Sequence, residues 1–132
     1  MFNIDSLALN DTVQLQLKHP VSDELLFADK EQELPVAISI FGTSSKQYRN
    51  AITAMQNRQL KRGKKPATAE QMREEGVSLL VACSDKGVNF KYKGQDIDSV
   101  EVFTELYNDP KFSWVKDQVD AGLGDVSNFL EA

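Results

Sequence analysis

One histidine, one cysteine and 20 carboxylates are the side chains with which this 132-residue sequence could most readily transfer protons, attack a substrate or hold a metal. His19 precedes Pro20 in a turn-like stretch, "KHPVSDE", and reads as a turn residue rather than a base or ligand. Cys83 closes the apolar run "LLVAC" and reads as a small buried hydrophobe. A metal site needs several donors at ligand spacing, and one histidine with one cysteine does not supply them. The sequence has no G-x-x-x-x-G-K-[ST], G-x-G-x-x-G or G-x-S-x-G pattern. "GLGD" at 122–125 falls inside a helical pattern and is no phosphate loop. The acids of 96–132 mostly alternate with apolar positions, as on a solvated helix face. Together these features point away from an enzyme and call for no cofactor and no metal.

Charge is the stronger signal. The net charge of −5 conceals a segregated pattern. Between positions 46 and 65 stand Lys46, Arg49, Arg58, Lys61, Arg62, Lys64 and Lys65, with no acid, a local +7. Positions 96–132 hold nine acids against Lys111 and Lys116, a local −7. Two readings follow: a basic patch for phosphates, or opposite surfaces through which copies associate. Apart from Tyr48 the basic run has no interleaved aromatics, and no zinc-finger or helix-turn-helix spacing accompanies it. Nucleic-acid binding through Arg49, Arg58, Lys61, Arg62, Lys64 and Lys65 is therefore the alternative; the plainer reading is a solvated helix face ending in a "KRGKK" loop, and the same residues could serve self-association.

The elements that must position these residues can be read from periodicity. "TVQLQLK" (12–18) alternates apolar and polar residues, as a half-buried strand does. "LLFA" (25–28) and the β-branched "VAISIF" (36–41) are the second and third strands, and an antiparallel meander would join all three. Ser44 or Ser45 can cap a helix with Tyr48, Ala51, Ile52, Met55 and Leu60 on one face. Gly63 and Pro66 end it. Thr68 and Gln71 form a capping box for a second helix, running to about Cys83 and presenting Met72, Leu79, Leu80 and Cys83. Gly76 in its middle predicts a close helix contact or a kink. "DKGVNFKYKGQDID" is expected to be an irregular or short β segment turning at Gly87 and Gly94, with Phe90 and Ile97 pinning it to the core. Asp98 and Glu101 are expected to cap a short helix containing Val102, Phe103, Leu106 and Tyr107.

Asp109–Pro110 then opens a long amphipathic helix. Phe112, Val115, Val119, Leu123, Val126 and Leu130 form its stripe, and Trp114 stands about 100° from Val115 at the stripe's edge. The expected architecture is α+β, one domain over 1–132. A small N-terminal antiparallel β-meander (12–41) leads into a bundle of about four helices: two over 44–84 and the rest over 98–130. No apolar run reaches the ~20 residues of a membrane span. The start "MFNIDSLALN" lacks the basic, then continuously apolar, layout of a signal peptide. A lone cysteine fits a reducing compartment, so a soluble cytoplasmic protein is expected.

Three stretches resemble the tail assembly chaperones of long-tailed bacteriophages and their prophages. They are "VQLQLKHPVSDELL", "SIFGTSSKQYRNAITAMQNRQL" and, most specifically, "LYNDPKFSWVKDQVDAGLGDVSNFL". One departure is local: where that family often has a tryptophan near Gly87 and Val88, this chain has Lys86, and Phe90 takes the packing role. The resemblance implies a non-catalytic helper that covers the long, helical tape-measure protein while the tail tube grows around it. It implies contact with tail tube subunits too, action in the host cytoplasm and absence from the finished particle. A groove for an amphipathic helix would then be offered by Leu106, Tyr107, Phe112, Trp114, Val115 and Val119.

Overall fold

A computed structural model describes residues 2–130. In chain order its elements are β1 (Thr12–Gln16), β2 (Phe27–Asp29), β3 (Leu34–Pro35), β4 (Ala37–Phe41), α1 (Lys46–Arg62), α2 (Ala69–Ala82), β5 (Ser84–Val88), β6 (Lys91–Tyr92), β7 (Gln95–Asp96), α3 (Val100–Asn108) and α4 (Ser113–Gly124). Short 3₁₀ turns stand at Ile4–Leu7, Pro110–Phe112 and Val126–Phe129. The chain is mixed α+β, as its alternating and helical periods predict.

The central sheet differs from a simple meander. Its order is β1-β4-β5, all antiparallel, so its third strand comes from beyond α2 and not from "LLFA". β2, the "LLFA" segment displaced by two residues, pairs with β3 in a separate two-stranded ribbon. The residues of β5, "SDKGV", hide this role because an edge strand with one wet face needs little apolar character. β4 lies between two partners, and Ala37, Ile38, Ser39 and Ile40 are all buried. Register puts Val13 opposite Ile40 and Leu15 opposite Ile38, a shared apolar face.

α4 crosses that face so closely that a Cβ on Gly122 would lie 2.6 Å from Leu15 Cδ2. Its Gln118 amide closes the end of β1: Oε1 accepts from Lys18 N and Nε2 donates to Lys18 O, both at 2.8 Å. At the other end of β1, Asn10 N donates to Phe129 O at 2.7 Å. Phe103, Leu106, Val119, Leu123 and Phe129 complete the core with Ile97.

Caps follow local chemistry. Ser45 Oγ accepts from Tyr48 N and donates to Gly42 O at the start of α1. The Thr68–Gln71 box is made in both directions. At α3 the cap is Ser99, accepting from Val102 N, and not Asp98. The hydroxyl one residue later reaches the first free N–H groups. Gly94 turns at φ 76°, whereas Gly87 is no turn but a strand residue pressed against Ile97. Gly76 marks no close contact, since nothing lies within 4 Å of where its Cβ would be. Leu60 and Met72, expected on packed faces, are exposed.

The closing stretch is not one helix. Asp109 caps the 3₁₀ turn Pro110–Phe112, α4 ends at Gly124, and Asp125 caps a further 3₁₀ turn through Ser127 N. Two glycines in three residues weaken the helix there. The chain then re-aims so that Phe129 is buried, while Val126, expected inside, is exposed.

Candidate functional site

The end of β1, the β6–β7 hairpin and the α3–α4 junction enclose an apolar pocket of about 160 Å³. Leu106 and Val115 come from the two helices, Leu17 and Val36 from the sheet side, and Phe90 and Tyr92 from the hairpin region. Leu17, Tyr92, Leu106 and Val115 are buried and make its floor, while Phe112 and Trp114 are half-buried and make its walls. Lys91 and Lys93 stand at its rim.

The walls are set by a small aromatic and ionic network. Tyr92 and Phe112 meet edge-on, with ring centroids 5.6 Å apart. The Tyr92 hydroxyl donates to Asp109 Oδ2 at 2.7 Å. That bond, with a second from Lys111 N, holds the Asp109 carboxyl below its ordinary range. Desolvation and the same carboxylate push the Tyr92 phenol up. Lys93 Nζ lies 5.4 Å from the centre of the Tyr92 ring and binds Glu105 at 2.7 Å, which raises its pKa. Lys91 lies 3.9 Å from Asp96. "NDP" therefore does more than begin a turn: Asp109 fixes Tyr92, and Tyr92 fixes Phe112.

Of the six residues expected to form a partner groove, Leu106, Phe112, Trp114 and Val115 meet in this pocket. Tyr107 and Val119 do not: both are buried in the core and offer no surface. The Tyr107 hydroxyl is 2.7 Å from Ser84 Oγ, which itself donates to Leu80 O. The shared stripe is core for physical reasons, because α4 must cover Ile38 and Ile40. Leu17, Val36, Phe90, Tyr92, Lys91 and Lys93 were not expected at this site. They come from segments far apart in sequence, and only the aromatic between two lysines in "KYK" hinted at a cation-rimmed aromatic.

The basic residues have another setting. α1 has no buried residue, and Arg49, Arg58, Lys61, Lys64 and Lys65 are exposed. Arg62 pairs with Glu75 at 3.3 Å. Arg58, Lys61 and Arg62 line a cleft of about 590 Å³ between α1 and α2, whose opposite wall carries Glu74 and Glu75.

His19 is held in its turn by accepting at Nδ1 from Val21 N and Ser22 N. Burial pushes the Cys83 thiol up to about 11, so it is protonated at neutral pH. Among the described residues no cluster of three or more His, Cys, Asp or Glu side chains could hold a metal, and no helix is long and apolar enough to cross a membrane. Comparison with protein-family models, curated proteins and solved structures gives no match to this chain in any of the three.

Proposed function

We propose that this chain is a non-catalytic tail assembly chaperone that binds a tape-measure protein, and tail tube subunits with it, in the host cytoplasm before the particle is finished. The observation that supports this reading best is the apolar pocket walled by Phe112 and Trp114. Four of its ten lining residues, Leu106, Phe112, Trp114 and Val115, come from "LYNDPKFSWV", within the stretch that has the most specific resemblance to that family. A small apolar pocket accepts one large side chain of an amphipathic helix, the anchor of helix-in-groove recognition. One anchor per copy gives a weak, reversible contact that repetition along an extended target multiplies.

Co-expression with the tape-measure protein of the same phage tests this. A soluble complex is expected. Trp114→Ala should reduce recovery of that complex roughly tenfold, as loss of an interface anchor does. The same change should lower the melting temperature by no more than about 5 °C, because the indole is only partly buried. An insoluble tape measure with no co-purification sinks the reading.

The exposed cations of α1 favour a second reading, binding of nucleic acid. Glu74 and Glu75 across the cleft oppose it by placing carboxylates where a phosphate would enter. Retention on DNA that salt abolishes, without tape-measure affinity, would favour the second reading.

A further inference from the structure

The segment that opens the described chain exposes three large apolar side chains within six residues. Phe2, Ile4 and Leu7 are 74%, 73% and 54% exposed. The 3₁₀ turn Ile4–Leu7 buries none of its residues, yet it is locally built: Asn3 Oδ1 accepts from Asp5 N. Scattered exposed apolar residues need no explanation, but a cluster of them marks an interaction surface. Among the described residues, none of the packing around the 3₁₀ turn buries them.

It does carry a matching cavity. The Trp114 pocket, at about 160 Å³, is close to the ~150 Å³ apolar cavity that accommodates benzene. One phenyl ring is therefore its natural occupant, and Phe2 is the most exposed aromatic side chain among the described residues. Charge agrees. Residues 2–11 carry Asp5 and Asp11 and no lysine or arginine. The pocket rim carries Lys91 and Lys93, whose side chains remain 65% and 61% exposed despite Asp96 and Glu105.

Position decides whose pocket it is. The segment enters the fold at Asn10, bonded to Phe129 at one end of β1. Leu17, beyond the other end, lines the pocket. Seven residues of extended chain separate these points, about 23 Å. Arm and pocket thus lie at opposite ends of the strand, and Phe2 stands exposed outside the pocket of its own chain, so a second copy is the partner that brings the two together.

We propose that Phe2, flanked by Ile4 and Asp5, inserts into the Trp114 pocket of a second copy of this chain. The contact is heterologous, so repetition produces a ring or an open string of copies. The inference does not rest on the tape-measure reading, although a tape-measure side chain would compete for the same pocket.

Sedimentation of the full chain over a range of concentrations, followed in parallel by Trp114 fluorescence, tests it. Wild type should self-associate with a concentration-dependent change in tryptophan emission. Phe2→Ala should weaken association roughly tenfold or more, the worth of burying a phenylalanine, with an unchanged melting temperature. Trp114→Ala should weaken it also. Phe2→Ala keeps an intact pocket and Trp114→Ala an intact arm, so mixing the two should restore pairing but not longer assemblies.

Wild type that stays monomeric throughout, a Phe2→Ala chain that associates like wild type, or a mixture that does not pair would each overturn the proposal. Phe2→Ala should still co-purify with the tape measure. Failure of that co-purification in wild type as well, with Phe2-dependent association intact, would remove only the functional reading.

Discussion

Side-chain size sets how closely backbones approach in this protein. Gly122 and Gly76 both sit in helices, and helix propensity alone treats them alike. Their surroundings differ. A methyl group at Gly122 would meet Leu15 Cδ2 at 2.6 Å and Cδ1 at 2.8 Å, whereas at Gly76 it would meet nothing within 4 Å. Gly122→Ala should therefore cost about 1–3 kcal/mol, the usual penalty for overpacking, reduced where the Leu15 side chain can turn aside. Gly76→Ala should stabilise by up to about 1 kcal/mol by restricting the unfolded chain and filling a helix position. Urea unfolding of the two variants checks both signs at once. A lone glycine within a helix suggests a tight contact or a kink, which would have singled out Gly76 and not Gly122. Which glycine faces a neighbour depends on the crossing of α4 over β1, and no local pattern encodes that.

Elements divide into those anchored from several sides and those held by one. α3 buries Phe103, Leu106 and Tyr107, and α4 buries Val115, Val119, Gly122 and Leu123. α1 buries nothing across its 17 residues and touches the rest mainly through half-buried Tyr48, Ala51, Ile52, Met55 and the Arg62–Glu75 pair. Local stability follows buried apolar contact. Amides in the second half of α1 should exchange at least roughly tenfold faster than those of α3, read by native-state hydrogen exchange; equal protection would contradict this. The capping residues of α1 and α2 were legible because Ser45, Thr68 and Gln71 act on neighbours three residues away. The place of β5 in the central sheet was not, since its pairing with β4 lies across two helices. The single long closing helix was a reasonable expectation from a stripe at spacings of three and four. It failed at Gly122–Asp125, where a new cap competes with a weakened helix.

Stability of the whole molecule should fall on the alkaline side. Burial pushes both the Cys83 thiol and the Tyr107 phenol above their ordinary values, Cys83 to about 11 from 9.0. The folded state then holds protons that the unfolded chain releases. Their contribution is complete below pH 9 and is lost as pH rises through the folded values. For Cys83 the loss is on the order of 2 kcal/mol by pH 11, and Tyr107 acts in the same direction. Urea midpoints measured from pH 8 to 11 should decline, and Cys83→Ala should make the decline shallower; a flat profile would contradict the account. The charge segregation is likewise a property of the whole molecule. If opposite surfaces at 46–65 and 96–132 join copies, association should weaken between low and high salt, and no change would remove that contribution. What the sequence determined by itself was local: the strand period of "TVQLQLK", the caps, the glycine and proline stops, the uneven charge and the mixed α+β class. Each depends on residues within a few positions of one another, where bonding geometry and periodicity suffice. The tertiary structure decided which residues of the aromatic and apolar closing stretch are core, which line the pocket and which, like Val126, are exposed. It also brought Leu17, Tyr92 and Trp114 together and left Phe2 uncovered. Those outcomes depend on which faces meet, and that choice is made by burial summed over the whole chain.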